Sequence, residues 1–290
     1  MTIVYDQLLA LDLPEREASY TTRDSMLYAL SVGMAADPMD ENDLPFVVEN
    51  GAYEGRLKAL PSQATVLCWD DSWGFKSGIN MVMVVHGEQR ITMHKPLAPE
   101  GRILSKTRIK EAWDKGAGKG AVVLVETTIR DAASGEALIT LLSTVFARGD
   151  GGFGAPANQA PPPKPHAIPD RAPDLTISAR TQPNQALFYR LCGDRNPLHA
   201  DPSFAKAAGF PRPILHGLCT YGHAIRAVVK GACDHNPARV AHMEARFTAP
   251  VFPGETIATD IWRDGNIVSF RARLEERGLV ALDHGKVELL

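Results

Sequence analysis

An acid and a histidine five positions apart mark the most informative stretch of the chain, Gly193-Asp194-Arg195-Asn196-Pro197-Leu198-His199. Pro197 prevents one continuous helix here, so the side chains of Asp194 and His199 can face the same side. A carboxylate beside an imidazole orients it and raises its pKa, and the two groups can hold a water molecule between them. We therefore predict that Asp194 and His199 activate water. Asn196 supports them by holding the loop, which we favour, or by binding the same water.

A second element follows within twenty residues, where Pro213-Ile214-Leu215-His216-Gly217 opens a helical pattern. The first N–H groups of a helix have no acceptor inside it and lie at the positive end of its dipole. The N–H of Gly217, aimed at a carbonyl oxygen, would stabilise the enolate that forms when water adds to an α,β-unsaturated thioester. The alternative is that Gly217 only lets the helix start pack closely. His216 is a second donor or a mere neighbour, and we assign it no role.

Other kinds of site are disfavoured by the sequence. It contains no His-Glu-x-x-His or clustered Cys/His pattern, no glycine-rich phosphate loop between a strand and a helix, and no Gly-x-Ser-x-Gly elbow. We therefore expect no metal ion and no cofactor. Cys192 and Cys219 flank the two motifs and are interpreted as small apolar side chains. Taken singly, a Gly-Asp-x-Asn-Pro turn or a lone histidine is more often structural than catalytic, so the prediction depends on their combination.

The composition indicates a globular protein with real cores: 290 residues, 44% hydrophobic and 22% charged, with a formal net charge of −3. This balance excludes the broad positive field that attracts nucleic acid. Four cysteines without paired spacing indicate reduced thiols. The sequence shows no signal-peptide pattern, no apolar run as long as a membrane span and no final Ser-Lys-Leu. We therefore expect a cytoplasmic protein with no nucleic-acid or membrane partner.

A Pro- and Gly-rich stretch, residues 149–173, divides the chain near its middle and is predicted to be a semi-extended linker. The elements on its two sides come in the same order: a short strand, a helix closed by glycine, and later three strand-like runs. The runs are 102–113, 121–130 and 137–147 before the linker and 256–263, 267–274 and 279–290 after it. We interpret this order as a duplication, with repeats at 1–148 and 174–290.

The two repeats differ in their main helix. Apolar residues recur at helical spacing from Leu215 to Val229, and Lys230 and Gly231 are expected to end that helix. The matching stretch after Leu60 is interrupted, which predicts a short or broken helix. The space left there is lined by five residues that either hold an extended apolar chain or simply fill the core: Trp69, Trp73, Phe75, Met81 and Met83. The predicted class is α+β, with two antiparallel sheets side by side, each associated with a helix.

The motif residues resemble the signature of the (R)-specific 2-enoyl-CoA hydratases, the MaoC-like hydratase family. The match runs from Tyr189 to Pro202 and continues through Gly209-Phe210, residues 213–218 and Tyr221-Gly222. The whole chain resembles the two-repeat members called type-2 enoyl-CoA hydratases. This resemblance implies a double hot-dog fold, no metal and a coenzyme A thioester as substrate. It also implies that the residues at positions 194 and 199 hold and activate water, and that the amide at position 217 contacts the thioester oxygen.

The first repeat departs from the signature, because Gly33-Met34-Ala35-Ala36-Asp37-Pro38 lacks the acid and the base in register. We therefore expect one active site per chain, in the second repeat, and a first repeat that shapes the acyl pocket. The predicted reaction is the reversible hydration of trans-2-enoyl-CoA to (3R)-3-hydroxyacyl-CoA, in fatty-acid metabolism and β-oxidation.

Several alternatives remain open at this point. The same scaffold serves acyl-CoA thioesterases, and a non-catalytic acyl-CoA-binding subunit belongs to a third class. We expect a homodimer, since hot-dog folds often pair, although the duplication can supply that pairing within one chain. Candidate cations for the coenzyme A phosphates include Lys206, Arg212 and Arg246, which the sequence does not separate.

Overall fold

The computed structural model describes residues 3–154, 156 and 158–290, so positions 1–2 of the predicted first repeat and 155 and 157 of the predicted linker lie outside it. The strands of the first half are β1 (Arg16–Tyr20), β2 (Val84–Met93), β3 (Gly101–Asp114), β4 (Ala121–Asp131) and β5 (Ala137–Ala147). Those of the second half are β6 (Leu175–Arg180), β7 (Val240–Phe247), β8 (Thr256–Asp264), β9 (Ile267–Leu274) and β10 (Leu279–Leu289). All ten form one antiparallel sheet in the order β1-β3-β4-β5-β2-β7-β10-β9-β8-β6.

The two predicted sheets are thus continuous, and they join where β2 pairs with β7. Neither of these central strands was predicted from the sequence, which indicated only four strands in each half. Charged side chains of the two strands pair across the junction: Arg90 Nε lies 3.2 Å from Glu244 Oε2, and Arg246 binds Glu88. Because these charged residues interrupt the apolar pattern, the strand signal was hidden.

The helices are α1 (Tyr5–Leu9), α2 (Thr22–Ser31), α3 (Ala64–Leu67), α4 (Ser72–Ser77), α5 (Gln185–Tyr189), α6 (Pro202–Ala207) and α7 (Gly217–Ala232). The long predicted helix is α7, which is buried along most of its length and packs on β6, β8 and β9. Its predicted end at Gly231 is wrong, since the helix continues to Ala232. A Cβ atom on Gly231 would lie 2.6 Å from the side chain of Leu175, so this glycine allows close packing on the sheet instead of ending the helix. Among the described helices, none combines the length and apolar character that crossing a bilayer requires.

The corresponding helix of the first half is broken, as predicted. It consists of α3 and α4, four and six residues long, with residues 68–71 between them. The apolar residues of this region do not share one environment. Trp73 and Met81 pack in a smaller core with residues of α1 and β3–β5, whereas Phe75 is 73% exposed and Trp69 and Met83 are partly exposed.

The linker forms no helix or strand in its described residues, but hydrogen bonds to several strands hold it. Trp113 Nε1 donates to the carbonyl oxygen of Ala160 at 2.7 Å. His166 Nε2 lies 2.8 Å from Ser269 Oγ, and Trp262 Nε1 donates to the carbonyl oxygen of Arg171 at 2.8 Å. The segment that connects the two halves is therefore anchored to strands of both.

Candidate active site

The loop between α5 and α6 carries Asp194 and His199. Gly193 begins it with a φ of +153°, and a 3₁₀ turn spans Pro197–His199. The N–H of Asn196 donates to Asp194 Oδ1 at 3.0 Å, and Asn196 Oδ1 accepts the N–H of Leu198 at 3.0 Å. Such Asx turns hold a backbone in a compact shape without secondary-structure partners. The main-chain N–H and the side-chain Oδ1 of Asn196 are thus both engaged in folding the loop.

The structure brings Asp194 and His199 together. A carboxylate oxygen of Asp194 and a ring nitrogen of His199 lie within 4.8 Å of each other, and the side chains are only 7% and 8% exposed. One water molecule can bridge such a gap with two ordinary hydrogen bonds. His199 Nδ1 lies 2.9 Å from the carbonyl oxygen of Ile214, which assigns the ring proton to Nδ1. The lone pair on Nε2 is then free to accept a proton.

Burial controls the protonation of this pair. Burial raises the pKa of the Asp194 carboxyl group, against the opposing effects of the Asn196 N–H and of His199. Burial also lowers the pKa of the His199 imidazole, although Asp194 acts in the opposite direction. The sequence argument that a neighbouring carboxylate raises the imidazole pKa therefore describes only the smaller effect. A neutral imidazole is the form that can act as a base.

Gly217 is the first residue of α7, as the sequence predicted. Its N–H has no acceptor within the described part of the chain, as expected for the first turn of a helix. A Cβ atom at this position would lie 3.2 Å from the ring of Phe247, so only glycine fits without displacing that ring. Both readings of Gly217, an unpaired donor and a close-packed helix start, are compatible with this geometry.

Sequence reasoning gave no role to His216, and the structure places it against both members of the pair. Its ring stacks on that of His199 with the centroids 3.8 Å apart, and its Nε2 donates to the main-chain oxygen of Asp194 at 3.1 Å. The only sequence signal for His216 was its position directly before Gly217. That position does not reveal that its ring stacks on a residue of another loop.

Two groups of side chains in the described residues have metal-ligand spacing. The first is Asp194, His199 and His216, whose two rings lie 28° from parallel, so their in-plane lone pairs do not converge on one point. The second is Asp40, Asp43 and His235, where Lys230 Nζ already lies 2.9 and 2.8 Å from the two carboxylates. Neither geometry suits a bound ion, which needs converging ligands and no competing cation.

The structure distinguishes the three candidate cations for the coenzyme A phosphates by their ion pairs. Arg246 is ion-paired with Glu88 at the junction of the halves. Arg212 lies in the segment that leads into α7, is exposed, and holds its guanidinium 5.0 Å from the ring centre of Phe252. Lys206 is exposed on α6. Within the described residues, neither Arg212 nor Lys206 forms an ion pair, so these two charges are available to a ligand.

Comparison with known proteins identifies the family of both halves of the chain. Residues 164–284 match the model of the MaoC like domain, and residues 18–149 match that of the MFE-2 hydratase 2 N-terminal domain. The chain is 40% identical to a protein named enoyl-CoA hydratase 2, peroxisomal, from Arabidopsis thaliana, over 96% of this chain and 93% of that one. It is 42% identical to 3-hydroxyacyl-thioester dehydratase Y of Mycobacterium tuberculosis, over 93% and 92% of the two chains.

A similar solved structure supports the predicted fold. The MaoC-like dehydratase from Phytophthora capsici is 34% identical and superimposes with a TM-score of 0.84, over 98% of both chains. The predicted double hot-dog fold is confirmed. With near-complete coverage by such relatives, the chain belongs to the MaoC-like hydratase family, in its two-repeat form.

Proposed function

We propose that this protein catalyses the reversible hydration of trans-2-enoyl-CoA to (3R)-3-hydroxyacyl-CoA in fatty-acid metabolism. The observation that supports it most directly is the buried Asp194–His199 pair, whose oxygen and nitrogen lie within one water molecule's reach. His216 touches both of these residues and directly precedes Gly217, so the pair and the unpaired helix N–H belong to one site. The relatives at 40% and 42% identity are named as a hydratase and a dehydratase, the two directions of this reaction.

The chemistry follows from the protonation states. Water held between Asp194 and His199 gives a proton to His199 Nε2 while its oxygen forms a bond to C3 of the substrate. The C2–C3 π electrons move toward the thioester, and the charge on its oxygen is stabilised by the N–H of Gly217 at the positive end of α7. The pair then returns a proton to C2, so that the elements of water are added in full. Asn196 keeps the loop folded during this cycle.

The test is the loss of conjugated-thioester absorbance when crotonyl-CoA or decenoyl-CoA meets the protein. The variants Asp194→Asn and His199→Gln should each lower kcat by at least about 100-fold, the usual contribution of a positioned acid or base. His94→Gln is the matched control, because His94 is exposed and its ring nitrogen Nε2 lies 2.9 Å from Thr140 Oγ1 in the first half. Unchanged turnover in both site variants would remove the pair from the mechanism.

Product analysis separates the rival activities. Coupling to a dehydrogenase specific for (3R)-hydroxyacyl-CoA should consume the product. Release of free coenzyme A thiol without hydration would indicate a thioesterase instead. Tight acyl-CoA binding with no turnover of any enoyl-CoA would indicate a non-catalytic subunit.

We further propose a division of labour between the repeats. Residues 174–290 carry the catalytic groups, residues 1–148 shape the acyl pocket, and residues 149–173 link them. Support comes from the contact between the catalytic loop and the broken helix, since Gly193 packs against Val66 of α3 and Trp69 just beyond it. Substitutions at Trp69 should therefore change the preferred acyl length without abolishing turnover of crotonyl-CoA.

We also propose a homodimer in the cytoplasm, with no nucleic-acid or membrane partner. Exposed apolar side chains on two helices that pack together, Leu30 of α2 and Leu187 of α5, support self-association. The four free cysteines support a reducing compartment. Sedimentation equilibrium and cell fractionation test these two points separately.

A further inference from the structure

His216 is the residue that connects the parts of the site. It precedes α7 at the N-cap position, and its side chain is only 1% exposed. Its Nε2 donates to the main-chain oxygen of Asp194 at 3.1 Å, across 22 positions of sequence. This hydrogen bond joins the loop that carries Asp194 and His199 to the start of α7, whose first N–H is the proposed contact to the thioester oxygen.

The ring of His216 makes a second contact that a simple packing residue would not need. It stacks on His199 with centroids 3.8 Å apart and planes 28° apart, while Tyr189 covers it at 4.9 Å. A flat neutral ring against an imidazole fixes the orientation of the imidazole. The π face also attracts positive charge when the imidazole becomes protonated.

The protonation of His216 is fixed by its surroundings. Burial, together with the nearby His199, lowers the pKa of His216 to about 2, so the ring stays neutral while His199 gains and loses protons. With its proton held at Nε2 by the Asp194 carbonyl, Nδ1 is left without a partner among the described residues. A charged ring in this place would repel the imidazolium that forms on His199 during turnover.

We propose that His216 is a positioning residue for the hydration reaction, with two separate actions. Its Nε2–H sets the position of the Asp194 loop relative to Gly217, and its ring face orients His199 and stabilises the imidazolium form. This inference rests on the proposed function, because the readouts below are those of enoyl-CoA hydration.

Two variants separate the two actions. His216→Phe keeps an aromatic face on His199 and removes the donor to Asp194. His216→Gln keeps a donor at similar reach and removes the ring. We expect His216→Phe to lower kcat about 10-fold with KM within about 2-fold of the parent, and to leave the acid limb of the kcat–pH profile unchanged.

The expected signature of His216→Gln is a displaced pH profile. Without the ring face, the imidazolium form of His199 is less stable, so the pKa of the base falls. The acid limb of the kcat–pH profile therefore moves to lower pH by about half a unit. That limb belongs to the coupled Asp194–His199 pair, on which Asp71 and, through His216, Arg190 also act. A purely structural role would lower the melting temperature in both variants and move neither limb.

The proposal is overturned if both variants keep the parent kcat, or if His216→Gln leaves the limb in place. Should either variant fail to fold, neutron diffraction from the unchanged protein tests the same claim. It should locate the proton of His216 on Nε2 and that of His199 on Nδ1, and a proton on His216 Nδ1 would refute the inferred hydrogen bond. If the unchanged protein hydrates no enoyl-CoA, the proposed function fails instead, and the neutron result still stands on its own.

Discussion

The carbonyl oxygen of Val66 lies 3.1 Å from the point that a Cβ atom on Gly193 would occupy. These residues come from opposite halves of the chain. Val66 belongs to the broken helix of the first half, and Gly193 directly precedes Asp194, the proposed acid. The first half therefore lies directly against the backbone that precedes Asp194, and the absence of a side chain at position 193 makes that approach possible.

Gly193→Ala should reduce the free energy of unfolding by about 2–3 kcal/mol, since it combines a φ of +153° with a close contact to backbone. It should also lower kcat by shifting Asp194. The matched control is Gly278→Ala, at a φ of +62° with no neighbour within 4 Å, which should cost about 1 kcal/mol and leave kcat unchanged. Denaturant titration and crotonyl-CoA hydration measure both effects. Equal costs at the two positions would contradict the claimed contact.

Gly217→Ala keeps the backbone N–H but places a methyl group against Phe247. We expect kcat to fall about 10-fold because the helix start must move away from the ring. Adding Phe247→Leu should restore part of the loss, and the double variant should be faster than Gly217→Ala alone. A double variant no faster than the single one would show that crowding at Phe247 is not the cause.

Arg212→Ala should lower kcat/KM for crotonyl-CoA about 10-fold through loss of a phosphate contact. Crotonyl-pantetheine lacks the nucleotide phosphates, so its kcat/KM should change less than 2-fold. Arg56→Ala is the control, because Arg56 is also exposed and lies 5.8 Å from the ring centre of Tyr53 in the other half. Equal losses with both thioesters would mean that Arg212 acts on the fold and does not bind the phosphates.

Buried histidines make the stability depend on pH. Burial lowers the pKa of His223 to about 3 and that of His216 to about 2, whereas an unfolded histidine titrates near 6.5. The unfolded state therefore binds more protons, and stability present above about pH 6.5 is lost as the pH falls toward 3. Each group contributes a slope of about 1.4 kcal/mol per pH unit in that window.

His223→Gln removes one of these two groups, and the slope of the unfolding free energy between pH 6 and pH 4 should decrease by about 1.4 kcal/mol per unit. His94→Gln, which removes an exposed histidine, serves as the comparison. If the two variants show the same slope, His223 does not remain neutral in the folded protein.

The sequence predicted those parts of the fold in which the spacing of apolar residues is not interrupted by charged residues, or which contain a local motif. Apolar residues at helical spacing located α7, and the motif around Asp194 located the loop between α5 and α6 that brings Asp194 and His199 together. The strands β2 and β7 were missed because Glu88, Arg90, Glu244 and Arg246 satisfy one another across the junction. In the sequence, each of these charged residues alone indicates a position on the surface. Only the pairing between the two halves explains why it lies in the middle of a sheet.

For the site as well, the sequence predicted features within one segment but not contacts between segments. Asp194 and His199 were predictable because their spacing within one loop is short. The burial that sets their protonation comes from other elements, so the direction of the His199 pKa shift was not accessible. His216 was missed since its contacts to Asp194 and His199 link two separate segments.

Pairing of β2 with β7 occurs within one polypeptide, so the interface between the repeats does not weaken on dilution. A pair of identical single repeats would carry every substitution twice, once in each subunit. In the fused chain, a substitution in one repeat is not copied into the other. One copy can then lose its acid and base while the other keeps them, and natural selection acts on each separately.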